Sequence, residues 1–124
     1  MTTILVIEEN TDFRTSLMNW LTVKNFSVLC ASDAVAGLRL VEQEQPDLVL
    51  CNLNLHKIDG LSVLRAIRYN PLTSQMPFLL ISSSSAYELY EQSHEQLHQL
   101  QPNGYLEIAK IWSQLVCAIR TCLK

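Results

Sequence analysis

Five short apolar segments alternate with longer amphipathic segments along this chain, and the alternation restricts its fold more than any other feature. The apolar segments are Thr3–Ile7, Ser27–Ala31, Leu48–Asn52, Phe78–Ser82 and Gly104–Glu107. Parallel strands need long crossover connections, which are usually helices and are almost always right-handed. The sequence therefore predicts a doubly wound α/β fold, with helices on both faces of a five-stranded parallel sheet.

Helical periodicity fills the segments between the predicted strands. The predicted helices span residues 12–24, 34–44, 61–69, 86–99 and 110–123. Thr11 is the predicted N-cap of the first helix, and Met18 is predicted to lie on the side that faces the sheet. The segment Leu48–Asn52 has no alternation of apolar and polar residues, which is typical of a strand covered on both faces.

Composition predicts one domain, residues 1–124, because 124 residues with 48% hydrophobic content suffice for a single core. The net charge is −3 and the nine Lys and Arg are scattered, which argues against nucleic acid as a partner. There is no apolar stretch of membrane-spanning length and no signal peptide, so we expect a cytoplasmic protein that has no membrane partner. The four cysteines form no CxxC motif and are expected to be thiols.

Polar residues follow several of the predicted strands. Glu8, Glu9 and Asn10 follow the first strand, and Asn52 ends the third. Ser82 and Ser83 stand at the end of the fourth strand, and Glu107 and the apolar Ile108 at the end of the fifth. Ligands of open α/β sheets bind beyond the carboxyl ends of the strands, near the point where the strand order reverses. These positions are therefore the candidate functional site.

The chain resembles the receiver domain of two-component response regulators over nearly its whole length. The resemblance is carried by ILVIEEN at residues 4–10, ASDA at 31–34, PDLVL at 46–50, IDG at 58–60 and PFLLIS at 77–82. It implies a flavodoxin-like fold with strand order 2-1-3-4-5. It also implies a signalling module of phosphorelay systems rather than an enzyme.

In that family an acidic pair holds Mg²⁺, an aspartate accepts a phosphoryl group, a hydroxyl contacts the phosphate and a lysine neutralises it. Glu8 and Glu9 match the acidic pair, and Glu9 is the candidate ligand for weakly bound Mg²⁺. Ser82 matches the hydroxyl, and Tyr105 matches the aromatic residue that often changes rotamer on activation. The resemblance thus implies switch positions at Ser82 and Tyr105.

Three positions depart from the family pattern. Asn52 stands in the place of the phosphoacceptor aspartate, Ile108 in the place of the lysine, and His56 in the place of a common proline. A neutral amide is a poor nucleophile, so aspartyl phosphorylation is excluded at position 52. We therefore expect a degenerate pocket, or pseudo-receiver, that binds Mg²⁺ weakly or not at all and acts through protein–protein interaction.

The resemblance also implies where a partner would bind. Receivers commonly use the face of the fourth helix, fifth strand and fifth helix, which here comprises residues 88–100 and 112–120. The expected partner is another signalling protein or a second copy of this chain. Trp112 is a candidate contact on that face, and the alternative is that it packs against the domain's own core.

Two alternatives keep the receiver scaffold but change its input. In the first, another carboxylate is phosphorylated, with Asp59 the nearest one in the sequence. In the second, a small ligand occupies the former phosphate pocket, where Ile108 would form an apolar floor. Tyr105 also has an alternative role, as a strand aromatic half-buried against the last helix.

An unrelated function is suggested by His94-Glu95-Gln96-Leu97-His98, which satisfies the HExxH pattern of zinc peptidases. Two histidines one helical turn apart can hold zinc, and the glutamate can act as a base. However, the surrounding helix is rich in Glu and Gln and is predicted to face solvent. Chelation of zinc at the surface is the simpler expectation.

Overall fold

A sheet of five parallel strands lies at the centre of the molecule, in the order β2-β1-β3-β4-β5. The computed structural model describes residues 1–124, apart from the side chain of Ala86. The strands are β1 (Thr3–Ile7), β2 (Ser27–Ala31), β3 (Leu48–Asn52), β4 (Phe78–Ser82) and β5 (Gly104–Glu107). The predicted strands, their order and the flavodoxin-like fold class are confirmed.

The crossovers are helical, as the periodicity predicted. The helices are α1 (Thr11–Val23), α2 (Ala34–Glu44), α3 (Gly60–Tyr69), α4 (Ala86–Leu100) and α5 (Ile111–Cys122). A turn of 3-10 helix at Ile108–Lys110 precedes α5, and α4 contains non-helical backbone at Ser93. The five helices lie on the two faces of the sheet.

Two predictions for α1 are wrong. Its N-cap is Asn10 rather than Thr11, because the Asn10 side chain accepts a hydrogen bond from Phe13 N at 2.8 Å and Thr11 is already helical. Met18 is 37% exposed, whereas Leu17 and Leu21 are fully buried. Adjacent helical residues are about 100° apart, so the stripe that contains Leu17 turns Met18 outward.

The core consists of two clusters separated by the sheet, because successive side chains of a strand point to opposite faces. Leu5, Ile7 and Cys51 belong to the cluster covered by α2, α3 and α4. Ile4 and Val6 belong to the cluster covered by α1 and α5. Every residue of β3 and β4 is buried, which explains why these strands lack polar alternation.

The four cysteines are expected to be thiols. Cys30, Cys51, Cys117 and Cys122 are free thiols, as the spacing predicted. Burial raises the pKa of the Cys51 thiol far above its ordinary value, which makes this thiol unreactive.

In the part of the chain that the structure describes, no helix combines the length and the apolar character needed to cross a bilayer.

Candidate functional site at the carboxyl edge of the sheet

The carboxyl ends of β1, β3 and β4 meet at one edge of the sheet, and main-chain hydrogen bonds fix their relative positions. Glu8 N donates to Ala31 O at 3.1 Å, and Leu53 N donates to Ile81 O at 2.7 Å. Parallel pairing therefore continues one residue past β1 and β3. This holds Glu8, Asn52 and Ser82 at the same level of the sheet.

The side chain of Asn52 is hydrogen bonded to Glu8. Its Nδ2 donates to both Oε1 and Oε2 of the Glu8 carboxylate, at 3.0 Å each. Both residues are buried, with exposed fractions of 3% for Glu8 and 7% for Asn52. A buried carboxylate needs donors, and the amide of Asn52 supplies them without adding charge.

The other end of the Asn52 amide is also occupied. Its Oδ1 accepts a hydrogen bond from Asn54 N at 2.9 Å, inside the loop that follows β3. Because Glu8 offers only acceptors and Asn54 N only a donor, these partners determine which end of the amide points to each of them. The amide oxygen of Asn52 therefore fixes the start of the loop.

The second acidic residue, Glu9, points in a different direction. It is exposed, and its Oε2 accepts a hydrogen bond from the backbone N of His56 at 2.9 Å. A proline at position 56 would have no N–H to donate. The replacement of the common proline by His56 therefore gives Glu9 a partner in the β3–α3 loop.

Arg14 fixes the backbone that carries this acidic pair. Its Nη1 donates to Glu8 O at 2.7 Å and to Glu9 O at 3.3 Å. Burial raises the pKa of the Glu8 carboxyl, and the hydrogen bond from Asn52 and the charge of Arg14 partly oppose that rise. The amide at position 52 thus helps to keep Glu8 ionised.

Ser82 is fully buried at the end of β4 and takes part in a small network of loop polar groups. Its Oγ accepts a hydrogen bond from Ser84 N at 3.1 Å, and Asn54 Nδ2 lies 3.4 Å from it. Asn54 Nδ2 also lies 3.5 Å from Ser83 Oγ, so Asn54 links the loops that follow β3 and β4.

Tyr105 faces the α4 side of the sheet. Its hydroxyl donates to Ser84 O, and its ring packs on the cluster that α2, α3 and α4 cover. The alternative that placed it against the last helix is wrong. Leu106, its neighbour on β5, is the one that packs under α5. The inward position of Tyr105 joins β5 to the loop after β4.

Ile108 lies apart from the hydrogen-bonded group. It begins the 3-10 turn after β5 and packs, partly buried, on the cluster covered by α1 and α5. A cavity of about 470 Å³ that borders Glu9 is lined instead by residues of the β2–α2 and β3–α3 loops, including Asp33, Arg39 and Ile58. That cavity does not have Ile108 as its floor.

The remaining candidates lie in ordinary helical surroundings. The Asp59 carboxylate caps α3, because it accepts a hydrogen bond from Ser62 N at 2.9 Å. His94, Glu95 and His98 are exposed on α4. Among the residues that the structure describes, no three His, Cys, Asp or Glu side chains cluster in a way that could hold a metal ion.

Sequence reasoning missed two contributors to this site, Asn54 and Arg14. Asn54 is a polar residue two positions after the end of β3, where asparagine commonly binds loop backbone, and that signal was available. Arg14 lies one helical turn after Asn10, so its side chain reaches back to the end of β1. The contact becomes apparent only when the start of α1 is known, and the sequence predicted that start incorrectly.

Trp112 lies on the α1 side of α5. Its ring centroid is 6.2 Å from that of Phe13 and 5.7 Å from that of Trp20, and its side chain is 46% exposed. It therefore contacts α1 rather than the face that α4 and β5 share with α5. The assignment of Trp112 to that shared face is corrected accordingly.

Sequence comparison identifies a family. Residues 4–106 match the response regulator receiver domain. The transcriptional regulatory protein AfsQ1 of Streptomyces coelicolor is 35% identical over 83 residues, which are 67% of this chain and 36% of that protein. A probable chemotaxis protein CheY of Rhizobium etli is 25% identical over 91 residues, 73% of this chain and 70% of that protein. The chain spans about a third of the length of the first curated relatives that it matches.

Solved structures share the fold. Chemotaxis protein CheY4 of Vibrio cholerae superposes with a TM-score of 0.88 at 16% identity, over 99% of each chain. A receiver domain protein from Clostridium thermocellum superposes with a TM-score of 0.86 at 21% identity, over 99% of this chain and 94% of that one.

Proposed function

Because this chain belongs to the response regulator receiver domain family, we propose that it is a pseudo-receiver: a two-component signalling module whose output is independent of phosphorylation at position 52. Receiver domains are signalling modules that interact with other signalling proteins. What distinguishes this chain is its acidic pair, Glu8 and Glu9. Both carboxylates already accept hydrogen bonds from N–H groups of the protein.

One observation carries the proposal. Glu8 accepts hydrogen bonds from Asn52 Nδ2, and Glu9 accepts one from His56 N. Both donors come from positions that depart from the family pattern, and neither donor would exist with aspartate at 52 or proline at 56. The pair is thus stabilised in place by the protein itself.

This arrangement lacks groups that Mg²⁺ binding and phosphoryl transfer require. Mg²⁺ requires oxygen ligands in near-octahedral geometry, whereas here the third carboxylate is replaced by an amide whose N–H groups point at Glu8. The amide oxygen of Asn52 is neutral and bonded to Asn54 N. We infer that Mg²⁺ binds weakly or not at all and that no acyl phosphate forms at this residue.

Output is proposed to occur through protein–protein contacts of the α4–β5–α5 face. On α4 the side chains of Tyr87 and Tyr90 are 71% and 55% exposed. Exposed tyrosines are frequent anchors of protein interfaces because they bury much area at small entropic cost. The irregular backbone at Ser93 gives the helix a shape of its own for a partner to recognise.

Incubation with acetyl phosphate and Mg²⁺, read by intact-mass spectrometry, tests the proposal. We expect the wild-type chain to show no gain of about 80 Da, the mass of one phosphoryl group. A receiver that retains its aspartate, treated in the same tube, verifies the reagent. Stoichiometric labelling of the wild-type chain would overturn the proposal, and mapping of the label would test Asp59 as the acceptor.

The pocket itself is tested by restoration. Asn52→Asp combined with Ile108→Lys returns the two missing functional groups of the phosphate site, and Glu8, Glu9 and Ser82 remain. If the rest of the pocket keeps receiver geometry, this double variant gains the label and the wild type does not. Absence of labelling in the double variant would show that the pocket has diverged beyond these two positions.

A further inference from the structure

Charged residues are distributed unevenly over the helices. The exposed basic residues of α1, α5 and their flanking positions are Lys24, Lys110, Arg120 and Lys124. Counted over the same helices and flanking positions, the acidic residues are Asp12 and Glu9, and the remaining basic residue, Arg14, donates to main-chain carbonyls. The α1/α5 side of the molecule is therefore basic, although the chain as a whole has a net charge of −3.

A shallow, open groove lies within this basic side, and two tryptophans and a valine line it together with three polar residues. It has a volume of about 570 Å³ and is lined by Ser16, Asn19, Trp20, Val23, Lys24 and Trp112. Val23 is 76% exposed, and the ammonium of Lys24 lies 5.4 Å from the centre of the Trp20 ring. We call the groove together with the four exposed cations the basic face. Aromatic side chains are enriched at the centres of protein interfaces, and charged side chains lie at their polar rims.

Helix α4 has the opposite character. Glu88, Glu91 and Glu95 are exposed along it, and no Lys or Arg occurs anywhere between residues 69 and 109. Tyr87 and Tyr90 are exposed beside these carboxylates. We call these five residues the acidic face. It offers three carboxylates to pair with cations of the basic face and two aromatic rings for the groove.

The two faces lie on opposite sides of the sheet. Helices α1 and α5 cover one core cluster, and α4 covers the other. One copy therefore cannot bring its own two faces together, but two copies can, with the acidic face of one against the basic face of the next. Such a contact is heterologous, so it leaves one unused face of each kind at the two ends.

We propose that this domain self-associates head to tail, with the α4 acidic face of one copy docked on the α1/α5 basic face of a second copy. The inference extends the proposed role in protein–protein interaction and is independent of whether position 52 can be phosphorylated. Because the contact pairs exposed charges, it weakens as salt screens them. Assembly also continues past the dimer as concentration rises, because each added copy presents new faces.

Sedimentation velocity of the native chain over a range of concentrations tests the proposal. At about 20 mM NaCl we expect a weight-average mass that rises through and beyond that of a dimer, and at about 500 mM NaCl a monomer. The decisive comparison uses two charge-reversal variants. Lys24→Glu/Arg120→Glu reverses the basic face, and Glu91→Lys/Glu95→Lys reverses the acidic face.

Each variant alone is expected to self-associate at least about tenfold more weakly than the wild type, a loss of ~1.4 kcal/mol or more. An equimolar mixture of the two is expected to associate again, because each reversed face then meets a complementary one. The matched control for the acidic-face variant is Glu42→Lys/Glu44→Lys on α2, which makes the same change in net charge as Glu91→Lys/Glu95→Lys but outside both faces. All three are surface substitutions, and circular dichroism verifies that each variant is folded.

Three results would overturn the proposal. The first is a monomer at low salt and high concentration. The second is loss of association in both variants without recovery in the mixture. The third is a plateau at the dimer mass with one variant unaffected, which would indicate a symmetric contact through a single face. None of these results depends on acyl-phosphate labelling. If self-association fails, the proposed function is therefore still decided by the labelling experiment.

Discussion

Asn52 Nδ2 donates to both carboxylate oxygens of Glu8, at 3.0 Å each, and so joins the ends of β3 and β1 inside the buried edge of the sheet. If position 52 carried a carboxylate, two anions would occupy this space and a cation would be needed between them. The amide removes that need. Its N–H groups bind the Glu8 carboxylate directly.

Asn52→Asp is therefore expected to destabilise the domain. At pH 7 it replaces a charge-assisted hydrogen bond by repulsion between two buried carboxylates, and we expect a loss of about 2 kcal/mol in the free energy of unfolding. Urea denaturation measures this loss. The loss of stability caused by Asn52→Asp should become smaller as the pH falls toward about 4.5. One carboxyl of the pair then binds a proton and becomes a hydrogen-bond donor.

The matched control exchanges donor and acceptor. In Glu8→Gln/Asn52→Asp the amide lies just after β1 and the carboxylate at the end of β3, so one N–H···O⁻ contact is regained. We expect this double variant to recover at least half of the stability that Asn52→Asp loses. Equal stability of Asn52→Asp and wild type at pH 7 would contradict the role assigned to the Glu8–Asn52 contact.

The pKa of Glu8 determines one part of how the stability of the fold depends on pH. Burial raises its pKa in the folded state above the ordinary value near 4.5. A folded-state pKa that is raised means that the native protein binds the proton more tightly than the unfolded chain does. Stability from this group is therefore full below pH 4.5 and is lost as pH rises through the folded-state value.

Urea midpoints of the wild type and Glu8→Gln, measured from pH 4 to pH 8, test this sign. Glutamine does not titrate, so the difference in unfolding free energy between wild type and variant should decrease as pH rises above about 4.5. Parallel pH profiles would show that Glu8 has the same pKa in the folded and unfolded chains.

Sequence patterns succeeded where a short-range rule decides the outcome. The unbroken apolar run in Leu48–Asn52 predicted a strand buried on both faces, and the end of that strand located Asn52. They failed where the outcome depends on the loop backbone. The bond from His56 N to Glu9 depends on the path of the β3–α3 loop, and the side of the sheet that Tyr105 faces depends on the pairing of β5 with β4.

His56 leads to a prediction about metal affinity. In the Asn52→Asp background, Mg²⁺ must still compete with His56 N for the Glu9 carboxylate. His56→Pro removes that N–H and is expected to raise the Mg²⁺ affinity of Asn52→Asp by about tenfold, ~1.4 kcal/mol. Isothermal titration calorimetry with MgCl₂ measures the change.

The control for this comparison is His56→Ala, which removes the imidazole and keeps the backbone N–H. In the Asn52→Asp background it should leave Mg²⁺ affinity within about twofold of the parent, because the competing donor remains. A gain as large as that of His56→Pro would mean that the imidazole, rather than the N–H, limits metal binding.

Gly60 is expected to tolerate no side chain, because it lies against the backbone of the site. A Cβ added there would be 2.6 Å from Asn52 O and 2.8 Å from Leu53 Cα, and neither atom can move without displacing the end of β3. Gly60→Ala should therefore lower the free energy of unfolding by about 2–3 kcal/mol. Gly37→Ala is the matched comparison, because its Cβ would meet only side-chain atoms of Ile7, at 2.5 Å from Cδ1 and 2.8 Å from Cγ1, and no backbone atom. Alanine in place of glycine inside α2 also gains up to about 1 kcal/mol of helix propensity, so this variant should lose less. Thermal and urea unfolding of the two variants decide the matter, and an equal loss at both positions would show that contact with the backbone of Asn52 adds no constraint of its own.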